Sequence, residues 1–222
     1  MSENIDFRVD YNKFKVMDEF NTDELKYPLI LSIPHCGTVF PEEFLRAVRH
    51  DVMTLRKNED ILVYDLLEPA IRDGGIAAIK LNVSRSFIDV NRAKVELDPN
   101  MFFDYPREDI GLNQQRSRYG LGIIHKVTAD SRPIYAGRIS YKEAEERIKN
   151  VYDVYHGRLK ELIARTIDKF GFCLVLDCHS MPSKICSIIS ESPRIDYCLG
   201  NLFEQSLSLI HISEPTRLQL IS

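Results

Sequence analysis

No apolar run in the chain approaches the roughly 20 residues that a membrane-spanning helix needs. The first residues, Met1-Ser-Glu-Asn-Ile-Asp6, have neither a basic region nor an apolar core, so they do not read as a signal peptide. Basic residues are outnumbered, 29 against 33 acidic ones, and the net charge of -4 argues against a nucleic-acid surface. The five cysteines (Cys36, Cys173, Cys178, Cys186 and Cys198) are odd in number and form no Cys-x-x-Cys pair, which argues against a disulfide framework and a structural metal cluster. The expected setting is a reducing cytoplasm, with Cys173 and Cys178 packed as small hydrophobes. There is no internal repeat and no low-complexity linker. What remains is 222 residues, 44% hydrophobic and 28% charged, the profile of one soluble globular domain with a sizeable core.

Two stretches organise that domain. Cys173 to Leu176 is an apolar run that reads as a buried strand; it stops at Asp177, and Cys178-His-Ser-Met-Pro182 follows. Leu29 to Ile33 is a second such run within a strand at 28–34, and it ends in Pro34-His-Cys-Gly37. In an open α/β sheet, ligands bind outside the carboxyl ends of the strands. Each run therefore delivers a histidine, His35 or His179, to the same functional edge. Convergence from remote points is what a metal site requires. Asp177, two residues before His179, is placed to orient its imidazole. Cys36 and Cys178 neighbour these histidines, which makes a nucleophilic thiol an alternative.

The rest alternates in type. Residues 1–26 read as a polar lead-in with little structure of its own. Pro41 and Glu42 to Arg49 read as a helix whose early acids and late bases match the helix dipole. Glu59 and Asp60 precede a helical pattern from Ile61 to about Arg72; either acid is a candidate metal ligand or a helix cap. A strand follows at 76–81. Asn82 to Arg92 is either an edge strand with solvated charges or a cluster of arginines poised for a carboxylate, with Asp89 holding one of them. Residues 93–119 read as a long excursion, a form often taken by functional lids. Ile123 to Val127 reads as a short strand bearing His125, a possible site residue. Tyr141 to Lys169 is the longest amphipathic helix, with His156 beside its apolar stripe as a packed residue. This βαβ order implies an α/β domain with a mostly parallel mixed sheet flanked by helices in three layers.

Taken together, Ser32-Ile-Pro-His-Cys-Gly37, Glu59-Asp60, Ser84 to Arg92, Gly120-Leu-Gly122, Tyr155-His156 and Leu176 to Pro182 resemble the N-formylglutamate amidohydrolase family, itself similar to zinc carboxypeptidases and aspartoacylases. The resemblance covers about residues 28–182. Cys36 stands where the family commonly has Ser. The resemblance implies a zinc ion, with another divalent metal as an alternative, on His35, His179 and a carboxylate. No His-x-x-Glu follows His35, so Asp60 is the expected carboxylate and Glu59 the alternative. It implies Asn91, Arg92 and Ser180 on the substrate, Arg85 at the oxyanion and Asp177 behind His179. The implied reaction is hydrolysis of N-formylglutamate to glutamate and formate, as in histidine degradation. The alternatives are a zinc carboxypeptidase-like peptidase, another N-acyl amino-acid deacylase, or a non-catalytic carboxylate binder. The expected partner is a small acidic N-acyl amino acid.

The last stretch, Leu207-Ser-Leu-Ile-His-Ile-Ser-Glu-Pro-Thr-Arg217, resembles the in-frame translation of a sequencing adapter. The expectation is a family domain over 1–206, incomplete at its C-terminus, and a non-native tail over 207–222. His211 is then no ligand. The family's general-base glutamate comes from a late segment, and Glu191, Glu204 and Glu214 do not match its context. The general base is therefore expected to be missing.

Overall fold

Leu29–Ile33 and Ala77–Leu81 are short, mostly apolar runs, and they form the centre of the main sheet. The computed structural model describes residues 4–106 and 119–181, together with the backbone of 197–200 and 218–221. Its strands are β1 (Asn4–Ile5), β2 (Met17–Phe20), β3 (Leu29–Ile33), β4 (Ala77–Leu81), β5 (Arg138–Ile139), β6 (Leu174–Asp177), β7 (Tyr197–Gly200) and β8 (Leu218–Ile221). The helices are α1 (Glu42–Ala47), α2 (Val52–Leu55), α3 (Val63–Arg72), α4 (Tyr141–Arg147) and α5 (Asp153–Phe170), with a π-helical turn at Ile148–Tyr152 joining the last two.

The main sheet has the order β2-β4-β3-β6. β4, β3 and β6 run parallel, and β2 is antiparallel to β4. The fold is thus a mixed α/β arrangement with a mostly parallel sheet between helices. Strand alternation sorts the two faces. Leu31 and Ile33 of β3 and Ala78 of β4 pack with Val63 and Ile71 of α3. Ile30 and Ala77 point the other way and meet Leu162 of α5. A larger cluster joins β4, α1, α4 and the segment 83–90 through Phe44, Leu81, Val83, Phe87 and Ile88. The chain divides into two compact units, Met1–His179 and Ser180–Ser222. Within the second, β7 and β8 pair in parallel.

Several expectations change. The lead-in is not unstructured: β2 completes the main sheet, and Phe7, Val9 and Phe14 pack on the core. The segment Ser84 to Arg92 is not an edge strand with solvated charges. It is a folded loop in which Phe87, Ile88 and even Asp89 are fully buried. Ile123 to Val127 makes only isolated bridges and no strand, although Ile123 and Ile124 are buried. β6 begins one residue later than its apolar run and is half-exposed; among the described residues β3 is its one neighbour in the main sheet. The helix expected from Ile61 begins at Val63 after Leu62, which adopts the left-handed conformation at φ 69°; no acid side chain caps it.

Two features hold the site's scaffold. Arg147 is fully buried; its Nε donates to Glu143 Oε1 at 3.0 Å and its Nη1 to Phe87 O at 2.9 Å. That bond ties the 84–92 loop to α4. Gly37 lets the exit of β3 lie against the exit of β4. A Cβ there would fall 2.2 Å from Val83 O, a contact no side chain can make. Gly37→Ala is expected to destabilise the fold by about 3 kcal/mol or more, read as a lowered urea midpoint with unchanged slope.

Candidate functional site

The parallel register of β3 with β6 sets Ser32 beside Asp177. Both strands then stop, and His35 and His179 leave the same edge as neighbours. Their ring centroids are 4.8 Å apart, and their Nδ1 atoms 3.1 Å. Asp60 arrives from the turn before α3, fixed by its backbone N–H donating to His35 O at 3.0 Å. Its Oδ2 lies 3.3 Å from His35 Nδ1 and 3.0 Å from His179 Nδ1. His35 and Asp60 are buried, whereas His179 stands at the open side. These three are the one group of candidate metal ligands among the described residues. Glu59, the alternative acid, points elsewhere: its carboxylate accepts from Arg56 Nε at 2.9 Å and Ser84 Oγ at 3.4 Å.

The back of each imidazole meets a carboxylate. His35 Nε2 is 2.8 Å from Asp89 Oδ1, and His179 Nε2 is 2.8 Å from Asp177 Oδ2. The tautomer that satisfies both is Nε2–H. Both Nδ1 lone pairs then face each other and the Asp60 oxygen. Three acceptors at 3.0–3.3 Å repel one another unless a proton or a metal ion lies among them. The electrostatics agree. Burial works against a charged His179, but hydrogen bonds with Asp177 and Asp60 outweigh it and lift its pKa to about 9. Burial likewise opposes an ionised Asp60, yet the two histidines hold it below the usual carboxylate range. Asp89 is held well below that range against the same opposition, by His125, His35 and Arg85.

Asp89 has the most donors around it. Its Oδ1 takes His35 Nε2 and the Asn91 N–H, the latter at 2.9 Å; its Oδ2 takes Arg85 Nε at 2.9 Å. Arg92 lies further off, its Nε 3.7 Å from the same oxygen and 3.1 Å from Leu121 O. Two cations thus stand beside Asp89, close to the histidine pair. Asn91 differs from expectation: its side-chain amide donates to Asp177 Oδ2 at 2.8 Å and so braces the His179 carboxylate. Ser32 Oγ donates to Asp177 Oδ1 at 2.8 Å and lies 3.0 Å from Tyr155 Oη of α5. Ser180 opens the second unit and is exposed.

His156 is a packed residue, as its helical position implies, with Nε2 donating to Val90 O at 2.7 Å. His125 is buried and joins Asp89 rather than the histidine pair. The thiol alternative finds no support: burial, with Asp177 adding to it, pushes the Cys178 thiol up to about 11, and burial raises Cys36 too. Sequence reasoning quoted Ser32 and Tyr155 only as members of motifs, with no role of their own, and gave none to Asn58. It saw Asp89 only as a partner for an arginine. Its burial was signalled by its place between Ile88 and Val90. Pro182, Glu191, Glu204, Glu214 and His211 lie outside the described residues.

Comparison with known proteins gives a consistent result. The N-formylglutamate deformylase of Pseudomonas aeruginosa is 26% identical over 165 residues, and that of Pseudomonas putida 24% over 162; each match covers 72% of this chain and 54% of the relative. The chain thus spans about half the length of the curated relatives it matches. The crystal structure of an N-formylglutamate amidohydrolase from Ralstonia eutropha JMP134 superimposes with a TM-score of 0.70 at 28% identity, covering 81% of this chain and 63% of that one. A gene product of Agrobacterium tumefaciens shares the fold, with a TM-score of 0.55 at 17% identity, covering 78% and 59%. The family model described as N-formylglutamate amidohydrolase matches residues 27–216, most of the sequence, and the chain belongs to that family.

Proposed function

We propose that His35, Asp60 and His179 hold one divalent ion, zinc in the first instance, and that the site hydrolyses the formyl amide of N-formylglutamate to glutamate and formate. The observation that carries the metal is the convergence of His35 Nδ1, His179 Nδ1 and one Asp60 oxygen within 3.0–3.3 Å of one another. Their spacing supports zinc. Tetrahedral bonds of about 2.0–2.1 Å set ligand atoms roughly 3.3 Å apart, and here they are 3.0–3.3 Å apart. The donor set, two imidazoles and a carboxylate, is one that would hold such an ion, with His179 as its exposed member. When bound, such an ion supplies Lewis acidity and lowers the pKa of water to about 7.

The chain's own residues do the rest. Asp89 and Asp177 fix the ring orientation of His35 and His179 and raise their basicity as ligands. Asp89 also holds Arg85 through Nε, a bond that does not engage the terminal guanidinium nitrogens. Those nitrogens are suited to the negative charge that develops on the amide oxygen. Arg92 supplies a second cation for a substrate carboxylate, which accounts for arginines gathered in a slightly acidic protein. Asn91 can join that grip only by sharing its amide with Asp177. The substrate is the one for which the related deformylase and amidohydrolase are named. No glutamate is assigned to proton transfer.

Formate release from N-formylglutamate, measured with bound metal, tests the reading. Zinc-loaded protein is expected to turn over, chelated protein not, and N-acetylglutamate to be a poorer substrate; metal-independent turnover would end the proposal. His35→Ala, Asp60→Ala and His179→Ala are each expected to bring bound zinc, by elemental analysis, close to background. Arg85→Ala is expected to lower kcat by about 10²–10³, the typical loss of an oxyanion donor. Arg92→Ala is expected instead to raise KM for the diacid by about tenfold, leaving kcat within a few-fold. Cys36→Ser and Cys178→Ala are expected to retain activity, and loss of turnover in either folded variant would restore the thiol alternative.

A further inference from the structure

Behind the candidate centre, buried polar contacts close into a ring that passes through a histidine the centre does not use. His35 turns Nδ1 forward and donates Nε2–H backward to Asp89 Oδ1 at 2.8 Å. The other Asp89 oxygen faces His125 Nε2 at 3.3 Å, beside Arg85 Nε at 2.9 Å. His125 Nδ1 lies 3.3 Å from Asn58 Nδ2, which also donates to Ser86 Oγ at 3.0 Å. Ser86 Oγ donates in turn to Leu55 O at 2.8 Å. Asn58 stands two residues before Asp60, so the ring returns through the backbone to the third candidate ligand. Asp89 is 0% exposed, His125 2% and Asn58 8%, which leaves almost no water to complete any of these bonds.

Burial dictates the protonation. A carboxylate without water must fill its lone pairs from protein donors. Oδ1 has His35 and the Asn91 N–H; Oδ2 has Arg85 and His125. An amide nitrogen can only donate, so Nδ1 of His125 accepts from Asn58 and its proton sits on Nε2. One neutral tautomer thus satisfies both ends. Burial also favours the neutral ring, lowering the His125 pKa against the pull of Asp89. A charged ring there would stand beside Arg85 and Arg92 with nowhere to put its second proton.

We infer that His125 is a positioning residue: locked between Asn58 and Asp89, it holds one Asp89 oxygen so that the other is presented to His35 while Arg85 stays beside the centre. Its consequence for metal binding rests on the reading above; its geometry does not. Without His125, Oδ2 loses a donor in a dry site, and the carboxylate relaxes toward Arg85 and away from the imidazole. His35 then loses the partner that fixes its orientation.

The test combines two readouts on the full chain. Histidine side-chain nitrogen spectra of the metal-free protein near neutral pH are expected to show His125 as the neutral Nε2–H tautomer, its signals identified by their loss in His125→Gln. Zinc affinity, by competition with a chromophoric chelator, is expected to fall about tenfold in His125→Leu but to stay within about threefold of the parent in His125→Gln, whose amide can still donate to Asp89. Thermal melting of the metal-free variants shows which are folded. A folded His125→Leu with parental affinity would overturn the inference, as would an Nδ1–H or charged His125. Should His125→Leu not fold, the tautomer spectrum and the His125→Gln affinity decide alone, and a folded His125→Gln as weak as about tenfold below the parent counts against the inference. Should the parent bind no zinc, the metal reading falls, while the spectrum still decides for or against the ring.

Discussion

Parallel pairing of β3 with β6, Ser32 beside Asp177, is the constraint on which the site depends. Side chains along a strand alternate with a period of two, so a slip of one residue would send Asp177 to the opposite face. It would part from Ser32 Oγ, which also meets Tyr155 on α5. Helix, central strand and edge strand are therefore locked at one point. From that point each strand needs only two or three further residues to bring a histidine to the sheet's carboxyl edge. The geometry of the centre is thus inherited from backbone hydrogen bonds, and the imidazoles need little side-chain freedom to meet.

A second constraint is the satisfaction of buried charge. Asp89 is enclosed among apolar residues, where an unpaired carboxylate would be costly. Its two oxygens instead gather a ring nitrogen from His35, another from His125, a backbone N–H and Arg85. Asp177 is partnered in the same way by Ser32, Asn91 and His179, but at the exposed rim. The two carboxylates therefore have similar tasks in different surroundings. The inner one is rigid by burial. The outer one borders the side from which a ligand would enter.

The sequence disclosed much of this and concealed the rest for identifiable reasons. β3 and β4 were legible because a central strand buried on both faces leaves a mostly apolar run, here interrupted only by Ser32 and Lys80. The long helix was legible from its stripe, and its end from Gly171, which takes the left-handed conformation at φ 83°. β2 was not, since Met17-Asp-Glu-Phe20 is half-buried throughout and shows no alternation. For the loop carrying Asp89 the sequence left a solvated edge strand open beside the arginine cluster, because charged residues in one dimension look exposed; the Asp89–Arg85 bond agrees with the second reading. Arg147, sixty positions from Phe87, ties this loop down through its bond to Phe87 O, and Asp89 is enclosed by His35, His125 and Arg85. His35, Asp60 and His179 could be named because strand ends and an acid before a helix are local features. Ser32, Tyr155 and the partners of His125 could not, because each contact joins segments that only the folded chain brings together.

The placement of β6 also bears on how the molecule comes to be made. Residues 35, 60 and 179 reach the centre from opposite ends of the first unit, and the Ser32–Asp177 bond spans 145 positions. During synthesis, β2, β4 and β3 are complete long before Leu174 leaves the ribosome. Until then β3 carries a bare row of amide and carbonyl groups along one side, the kind of template that recruits other chains. Between Leu81 and Leu174 the growing polypeptide thus carries its central strand paired with β4 on one side and open on the other, and that is the stretch of synthesis in which shielding of the nascent chain matters most.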